Sequence, residues 1–300
     1  HAMSTTLASG SSEVGRLARS VLGIFKLRIG VMIMVTALVG ALVAPTASLG
    51  VGQWLVLAMS VLMASASAGA FNQYYEFESD ARMGRTRNRA FVTGALRRRP
   101  LWLAVMAAML AGAVAAAWQV LNPLAAIFVF LGAFFYGVVY TVWLKRRTWL
   151  NIVVGGLAGS FAVLAGAAAV DTQIGALPGL LAVTLFLWTP PHFWSLAIAN
   201  EAEYAAAGVP MLPVVVGPGR AAQAVFASAV LLVVASLLPV AFGAGLVYLV
   251  CCVAGGTYFV YRAWQLTRAV NRGTAIASFL ASIVQLSAVL VGASVDAGLR

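Results

Sequence analysis

Residues 51–80 read VGQWLVLAMS VLMASASAGA FNQYYEFESD, and this stretch decides the fold. It opens with an apolar run of about 20 residues, the length a helix needs to cross the hydrocarbon of a bilayer. Without a break the run passes into Asn72, Glu76, Glu78 and Asp80, followed by Arg82, Arg85, Arg87 and Arg89. Three of the chain's eight acids and seven of its nineteen basic residues fall between Asn72 and Arg99. A chain that spends little on charge and gathers it beside a membrane span is placing chemistry there.

Outward from that stretch the sequence is mostly hydrocarbon. It is 62% hydrophobic and 9% charged, whereas soluble domains carry about a quarter charged residues. Long unbroken apolar runs select helices over a barrel, because each helix satisfies its own backbone in lipid. The expected fold is all-α and polytopic, a single bundle. Spans are expected near 29–48, 51–72, 101–119, 121–142, 150–170, 176–199, 221–242, 244–262 and 274–295, nine in all. Residues 1–25 read as a cloning scar (His1-Ala2-Met3) and a flexible or amphipathic segment, and 26–300 as the membrane domain, two four-helix halves plus a final helix. The adjacent Cys251 and Cys252 read as packing or lipid-facing residues.

The net charge of +11 has a topological origin. Eighteen of the nineteen basic residues fall in the amino-terminal segment or in the connections near 73–100, 143–149, 200–220 and 263–273, with Arg262 at a helix end and Arg300 alone opposite. By the positive-inside rule this alternation places the amino terminus and the charged connections in the cytoplasm and the carboxyl terminus on the other side. No nucleic-acid partner is implied. The rule does not explain why Glu76, Glu78, Asp80, Glu201 and Glu203 gather on the same face.

Asn72, Glu76 and Asp80 are spaced i, i+4, i+8, which on a helix keeps them within about 80° of one another over about 12 Å, with Glu78 turned away. Such a row suits Mg²⁺ held partly by carboxylates and partly by substrate phosphates, or a helix end meeting headgroups. Arg85 and Arg89 offer bidentate contacts to phosphate, as do Lys145 and Arg146, with membrane anchoring as the competing role. Arg97, Arg98 and Arg99 read as anchors. His192 follows Trp188-Thr189-Pro190-Pro191, in which the prolines are expected to kink or break the helix. If helix resumes there, Leu196, Ala199, Asn200 and Glu203 share the stripe of His192, so both ionisable groups face one cavity. Alternatively His192 satisfies backbone freed by the prolines. Gly155-Gly156-x-x-Gly159 lets helices approach closely.

Asn72-x3-Glu76-x3-Asp80 followed by Met83-x-Arg85-Thr86-x-x-Arg89 resembles the first signature of UbiA-type intramembrane prenyltransferases, and most of all the protohaem IX farnesyltransferase (haem O synthase) branch. The resemblance runs through Tyr140-Thr141-x-x-Leu144-Lys145-Arg146 to Gly155-Gly156, is sharpest in Trp188-Thr189-Pro190-Pro191-His192-Phe193-Trp194, and ends in Glu203-Tyr204 and Gly208-Val209-Pro210. Departures are Leu27 within the usual Lys-Pro-Arg, Ala90 for Pro, Ala162-Val163 for Pro-Pro, and Glu203 for Asp.

The resemblance implies a central cavity open to the cytosol, and transfer of a farnesyl group from farnesyl diphosphate to a vinyl group of haem B in the bacterial cytoplasmic membrane. Mg²⁺ would sit on Asn72, Glu76, Asp80 and Glu203, with Arg85, Arg89, Lys145 and Arg146 on the diphosphate. His192 and Tyr140 would lie on the acceptor side, His192 contacting haem iron or a propionate. Membrane lipids and downstream haem-processing or terminal-oxidase assembly proteins would be the other partners. The rival readings are a prenyltransferase with an aromatic or quinone-precursor acceptor and, from another class, a transporter or haem-binding assembly factor. A carrier would place charge near the bilayer midplane, whereas these acids fall at helix ends.

Overall fold

The computed structural model describes residues 15–44 and 49–299. The scar, the start of the amino-terminal segment, the end of the first expected span (45–48) and Arg300 lie outside the described residues. The chain is all-helical, with no strand among the described residues. In order the elements are α1 (Gly15–Ile24), α2 (Leu27–Leu42), α3 (Val51–Tyr75), α4 (Phe77–Ala81), α5 (Ala90–Thr93), α6 (Leu101–Val120) and α7 (Pro123–Phe134). A π-helix over Phe135–Leu144 continues α7, and then come α8 (Asn151–Gly155), α9 (Leu157–Val170), α10 (Ala176–Ala199), α11 (Glu201–Ala206), α12 (Leu212–Val216), α13 (Pro218–Ala241), α14 (Leu246–Arg268) and α15 (Arg272–Leu299).

Eight of the described helices are long and apolar enough to cross a membrane, and the pair α1 and α2, bent by 45° at Phe25–Lys26, makes nine if it counts as one span. Their outer faces carry large apolar side chains turned away from the protein: Leu103, Trp118, Leu231, Val234, Leu246 and Val250 are all exposed. Such a girdle is stable against lipid and costly against water. The protein is therefore an integral membrane protein.

Three apolar clusters organise the bundle. One joins α2, α3, α6, α7 and α9 through small residues such as Ala37, Ala64, Ala113, Ala125 and Ala165. A second joins α10 and α12 to α13, α14 and α15 around Trp194, Leu232 and Phe259. The third, with Val39, Val163, Leu185 and Val289, ties the two groups together along α2, α9, α10 and α15. Because lipid gives no hydrophobic drive for helices to associate, close backbone approach has to supply the packing energy. It is tightest where α2 crosses α9: a Cβ on Gly166 would overlap the Ala37 carbonyl, and one on Gly40 the Val163 carbonyl. Val163, one of the two departures from the usual Pro-Pro, thus sits in this crossing.

Two local expectations are corrected. The prolines at 190 and 191 do not break α10, which runs on from Ala176 to Ala199. Hydroxyls of Thr189 and Ser195 bond back to the carbonyls of Leu185 and Pro191 at 3.0 and 2.7 Å, while the carbonyls that lose their i+4 donors to the prolines are those of Phe186 and Leu187. Arg262 lies within α14 rather than at its end, six residues before Arg268 closes the helix. Cys252 is buried and Cys251 packs on Gly292, both unbridged.

The α2–α9 crossing gives a stability prediction. Gly166→Val is expected to cost about 3 kcal/mol or to abolish folding, measured as thermal stability of the detergent-purified protein. Gly159→Ala, where an added Cβ meets nothing within 4 Å, is expected to leave stability unchanged.

Candidate active site

The site is built around the break between α3 and α4. Glu76 occupies the junction, yet the backbone bonds from Glu76 to the Asn72 carbonyl (3.0 Å) and from Asp80 to the Glu76 carbonyl (2.8 Å) keep the helical register. Asn72, Glu76 and Asp80 consequently share one face, buried, while Glu78 is exposed. Carboxylates this deep persist as anions only when paired. Lys145 Nζ lies 2.5 Å from Glu76 Oε2 and Arg89 Nη1 2.5 Å from Asp80 Oδ2. The Thr86 hydroxyl donates to the Asp80 carbonyl at 2.9 Å, pinning the arginine-bearing loop under α4.

The π-helix sets the opposite wall. Its bonds reach back five residues, so Lys145 N bonds the Tyr140 carbonyl (2.9 Å) and the Thr141 hydroxyl bonds the Tyr136 carbonyl (2.8 Å). The widened turn lets one stretch supply three groups: Tyr136 and Tyr140, stacked with centroids 5.9 Å apart, and Lys145, 5.8 Å from the Tyr140 ring. Thr141 Oγ1 and Glu76 Oε2 both accept from the Asn72 amide, at 3.0 and 2.8 Å.

One further residue of the site carries no role in the sequence beyond its place among the basic residues of the amino-terminal segment. Lys26 lies at the α1–α2 bend, and its ammonium donates to Asn72 Oδ1 at 2.6 Å and to the Tyr136 hydroxyl at 3.0 Å. It is the only non-glycine residue with positive φ (48°) among the described residues.

These groups crown a cavity of about 1120 Å³. Asn72, Arg85, Arg89, Lys145, Tyr136 and Tyr140 line its polar end, and α1 contributes Arg19 and Ser20. Beyond them the walls are small or apolar: Ala64, Ala68, Gly132, Gly159, Ala162 and Leu185. Gly156 packs on Thr189 and Gly155 on the Tyr140 ring, so these two glycines seat helices closely while Gly159 opens onto the cavity.

His192 also lines the cavity, held between Trp188 (4.0 Å between centroids) and Phe279 (4.5 Å). Its Nδ1 lies 2.7 Å from Ser282 Oγ, and that hydroxyl lies 2.6 Å from the Phe279 carbonyl. A carbonyl only accepts, so the single Ser282 proton is committed there and Ser282 accepts from Nδ1–H. Nε2 of His192 is left with its lone pair. The histidine thus serves Ser282 rather than backbone freed by the prolines.

Two expected site residues sit apart. Arg146 is exposed and off the cavity wall. Glu203 is separated from the His192 stripe because α10 ends at Ala199. Asn200 leaves helical geometry (φ −127°), bonds its side chain to the Leu196 carbonyl (2.8 Å), and starts α11. Glu203 instead packs beside Gly84, in the loop after Asp80. Its neighbour Tyr204 does reach the cavity. Burial pushes the Tyr204 phenol up, and the Arg85 guanidinium beside it pulls back. Arg98 stacks over Tyr74 and Phe77, 4.6 and 4.3 Å from the ring centres.

The donor set can be tested against a divalent cation. No group of three or more His, Cys, Asp or Glu side chains is gathered among the described residues, which excludes an all-protein cage. Glu76 Oε1 and Asp80 Oδ1, however, are buried with no hydrogen-bond partner. Orphaned anionic oxygens are costly, and two carboxylates completed by phosphates and water are what Mg²⁺ accepts. The residues fit Mg²⁺ delivered with a phosphorylated ligand.

The sequence profile of the UbiA prenyltransferase family matches residues 33–287. The chain is 49% identical to protoheme IX farnesyltransferase 2 of Paramagnetospirillum magneticum over 273 residues, 91% of this chain and 95% of that protein. It is 42% identical to protoheme IX farnesyltransferase 1 of the same organism, over 93% and 98%. Its fold is similar to the structure of a UbiA homolog from Archaeoglobus fulgidus bound to GPP and Mg²⁺ (TM-score 0.69, 16% identity, 90% and 99% covered). It is also similar to that of digeranylgeranylglyceryl phosphate synthase (TM-score 0.78, 18% identity, 95% and 100% covered).

The buried pair gives a direct test of the site. Lys145→Met strands the Glu76 carboxylate and is expected to cost about 3–5 kcal/mol of stability. Adding Glu76→Gln is expected to recover most of that loss in thermal unfolding. A double variant no more stable than the single one would show that the two side chains do not depend on each other.

Proposed function

We propose that this chain, which belongs to the UbiA prenyltransferase family, transfers a farnesyl group from farnesyl diphosphate to a vinyl group of haem B, giving haem O. One observation carries the reading: a single cavity with a cationic, carboxylate-backed end and a histidine between aromatic rings on its wall. At about 1120 Å³ it exceeds the range of about 300–1,000 Å³ common for one small ligand, in keeping with two large apolar substrates held together.

The chain's own groups divide the work. Arg85, Arg89 and Lys145 face the diphosphate and stabilise the charge that develops as it leaves. Glu76, Asp80 and Asn72 would hold Mg²⁺, whose charge when bound would neutralise the diphosphate and help it depart; Glu203, beside Gly84, would be a further carboxylate for the site. The stacked Tyr136 and Tyr140 rings line the cavity beside the cationic end, where aromatic walls would suit the allylic cation left on the farnesyl carbon. Small apolar walls keep most water from that cation; when the vinyl carbon attacks it, the carbocation left on the former vinyl group takes up one water as hydroxyl, and the released proton goes to the departing diphosphate. His192 Nε2, with its lone pair free, would meet haem iron on the acceptor side, whereas a propionate would need a proton on that nitrogen. Arg146, exposed at the end of the π-helix, serves the membrane surface or a late contact with substrate. The enzyme works in the bacterial cytoplasmic membrane with the charged connections cytoplasmic, and hands its product to haem-processing proteins.

Purified protein with haem B, farnesyl diphosphate and Mg²⁺ is expected to yield haem O by mass spectrometry, with Glu76→Gln reducing turnover by at least about 10²-fold. Turnover with an aromatic acceptor and none with haem would replace the acceptor assignment. Ser282→Ala, which frees Nδ1 of His192, is expected to weaken haem B binding and alter its absorption spectrum while sparing farnesyl diphosphate binding. An unchanged spectrum would remove His192 from the haem side.

A further inference from the structure

We propose that Lys26 is a further residue of the diphosphate site and acts as an exchangeable latch. Its ammonium holds Asn72 Oδ1 until a divalent cation takes that oxygen, and then moves onto the incoming diphosphate. The inference rests on the metal–diphosphate reading above and adds to it an order of events.

Each of the three polar residues on the α3–α4 face is held by one of the chain's own cations: Asn72 by Lys26, Glu76 by Lys145 and Asp80 by Arg89. The three positions are not equivalent. Glu76 and Asp80 each keep a second, unpartnered oxygen for a metal. Asn72 has one oxygen, and Lys26 is on it. The amide cannot turn to offer another face, because its nitrogen is committed to Glu76 Oε2 and Thr141 Oγ1. An ammonium and a dication on the same carbonyl oxygen repel at close range. Ligation by Asn72 therefore requires Lys26 to leave.

Lys26 is built to move. Its stem runs along Gly69, where a Cβ would come 3.4 Å from Cδ, so α3 presents a smooth track rather than a socket. Its backbone is held left-handed at the 45° break between α1 and α2, a conformation that a residue with a Cβ adopts at a cost. The four-carbon stem carries a point charge with three rotatable donors. Arg85 and Arg89 line the same cavity, so an ammonium leaving Asn72 stays among groups suited to an anion. No covalent step is involved: one cation replaces another on an amide oxygen, and the displaced cation pairs with the anion that accompanies the metal.

The consequence is a coupling. A divalent metal alone must displace Lys26 among the cations at the polar end of the cavity without an anion to receive it, whereas metal with diphosphate gives it a partner. Each ligand then tightens the other by the same factor. The test uses the full-length chain in detergent, Mn²⁺ as the metal followed by electron paramagnetic resonance, and inorganic pyrophosphate as the anion.

In the unsubstituted protein pyrophosphate is expected to tighten Mn²⁺ binding by at least about tenfold. In Lys26→Met, Mn²⁺ alone is expected to bind more tightly than in the unsubstituted protein, and the pyrophosphate effect to fall below about threefold. Tyr136→Phe, which removes one of the two acceptors of Lys26, is expected to shift Mn²⁺ binding the same way by less, and supplies the test if Lys26→Met does not fold. Equal Mn²⁺ affinity and equal coupling in the Lys26 variant, with Glu76→Gln still abolishing Mn²⁺ binding, would overturn the latch and leave the site reading standing. Retention of pyrophosphate-dependent Mn²⁺ binding in Glu76→Gln would overturn both.

Discussion

The structure depends on keeping two carboxylates buried at the end of a membrane helix. Glu76 and Asp80 are each about 1% exposed, and an isolated anion at such a position would cost several kcal/mol or take up a proton. Lys145 and Arg89 resolve this by pairing with one oxygen of each. The pairing dictates much else. Lys145 has to come from the π-helix, whose five-residue reach places it beneath Tyr140, and Arg89 has to come from a loop pinned by Thr86. Each carboxylate keeps one oxygen without a hydrogen-bond partner. In the proposed reading those two oxygens are where a cation delivered with the substrate would bind.

Much of this was legible in the sequence. The apolar runs set the all-helical membrane fold, and residues spaced i, i+4, i+8 at the end of a span predicted one buried face with Glu78 outside it. Spacing carries that far because helical register survives the α3–α4 junction. The same arithmetic failed for Glu203. It presumed helix across Asn200, and a side-chain bond from Asn200 to the Leu196 carbonyl ends α10 before the stripe is complete. The two prolines were expected to kink or break α10, and the helix runs through them unbroken from Ala176 to Ala199.

What the sequence hid is conformational. FYGVVYTVWL over 135–144 has an ordinary apolar pattern, and nothing in its composition announces a π-helix. Lys26 resembles any lysine near a membrane surface until the 45° bend and a left-handed backbone turn it inward. The hydrogen bond between His192 and Ser282 spans ninety residues of sequence, so only the packing of α10 on α15 brings it together. These are tertiary choices. The motif resemblance pointed to candidate residues, and the geometry shows which of them share one cavity.

The central claim is that the orphaned oxygens of Glu76 and Asp80 receive a divalent cation together with the diphosphate. Crystals grown with Mn²⁺ and a non-hydrolysable farnesyl thiodiphosphate test it most directly, through the anomalous signal of the metal. The account predicts a manganese peak within about 2–2.6 Å of Glu76 Oε1 or Asp80 Oδ1, the diphosphate against Arg85, Arg89 and Lys145, and the farnesyl tail along Gly159 and Ala162. A diphosphate bound beside His192, or a metal held away from both carboxylates, would contradict it.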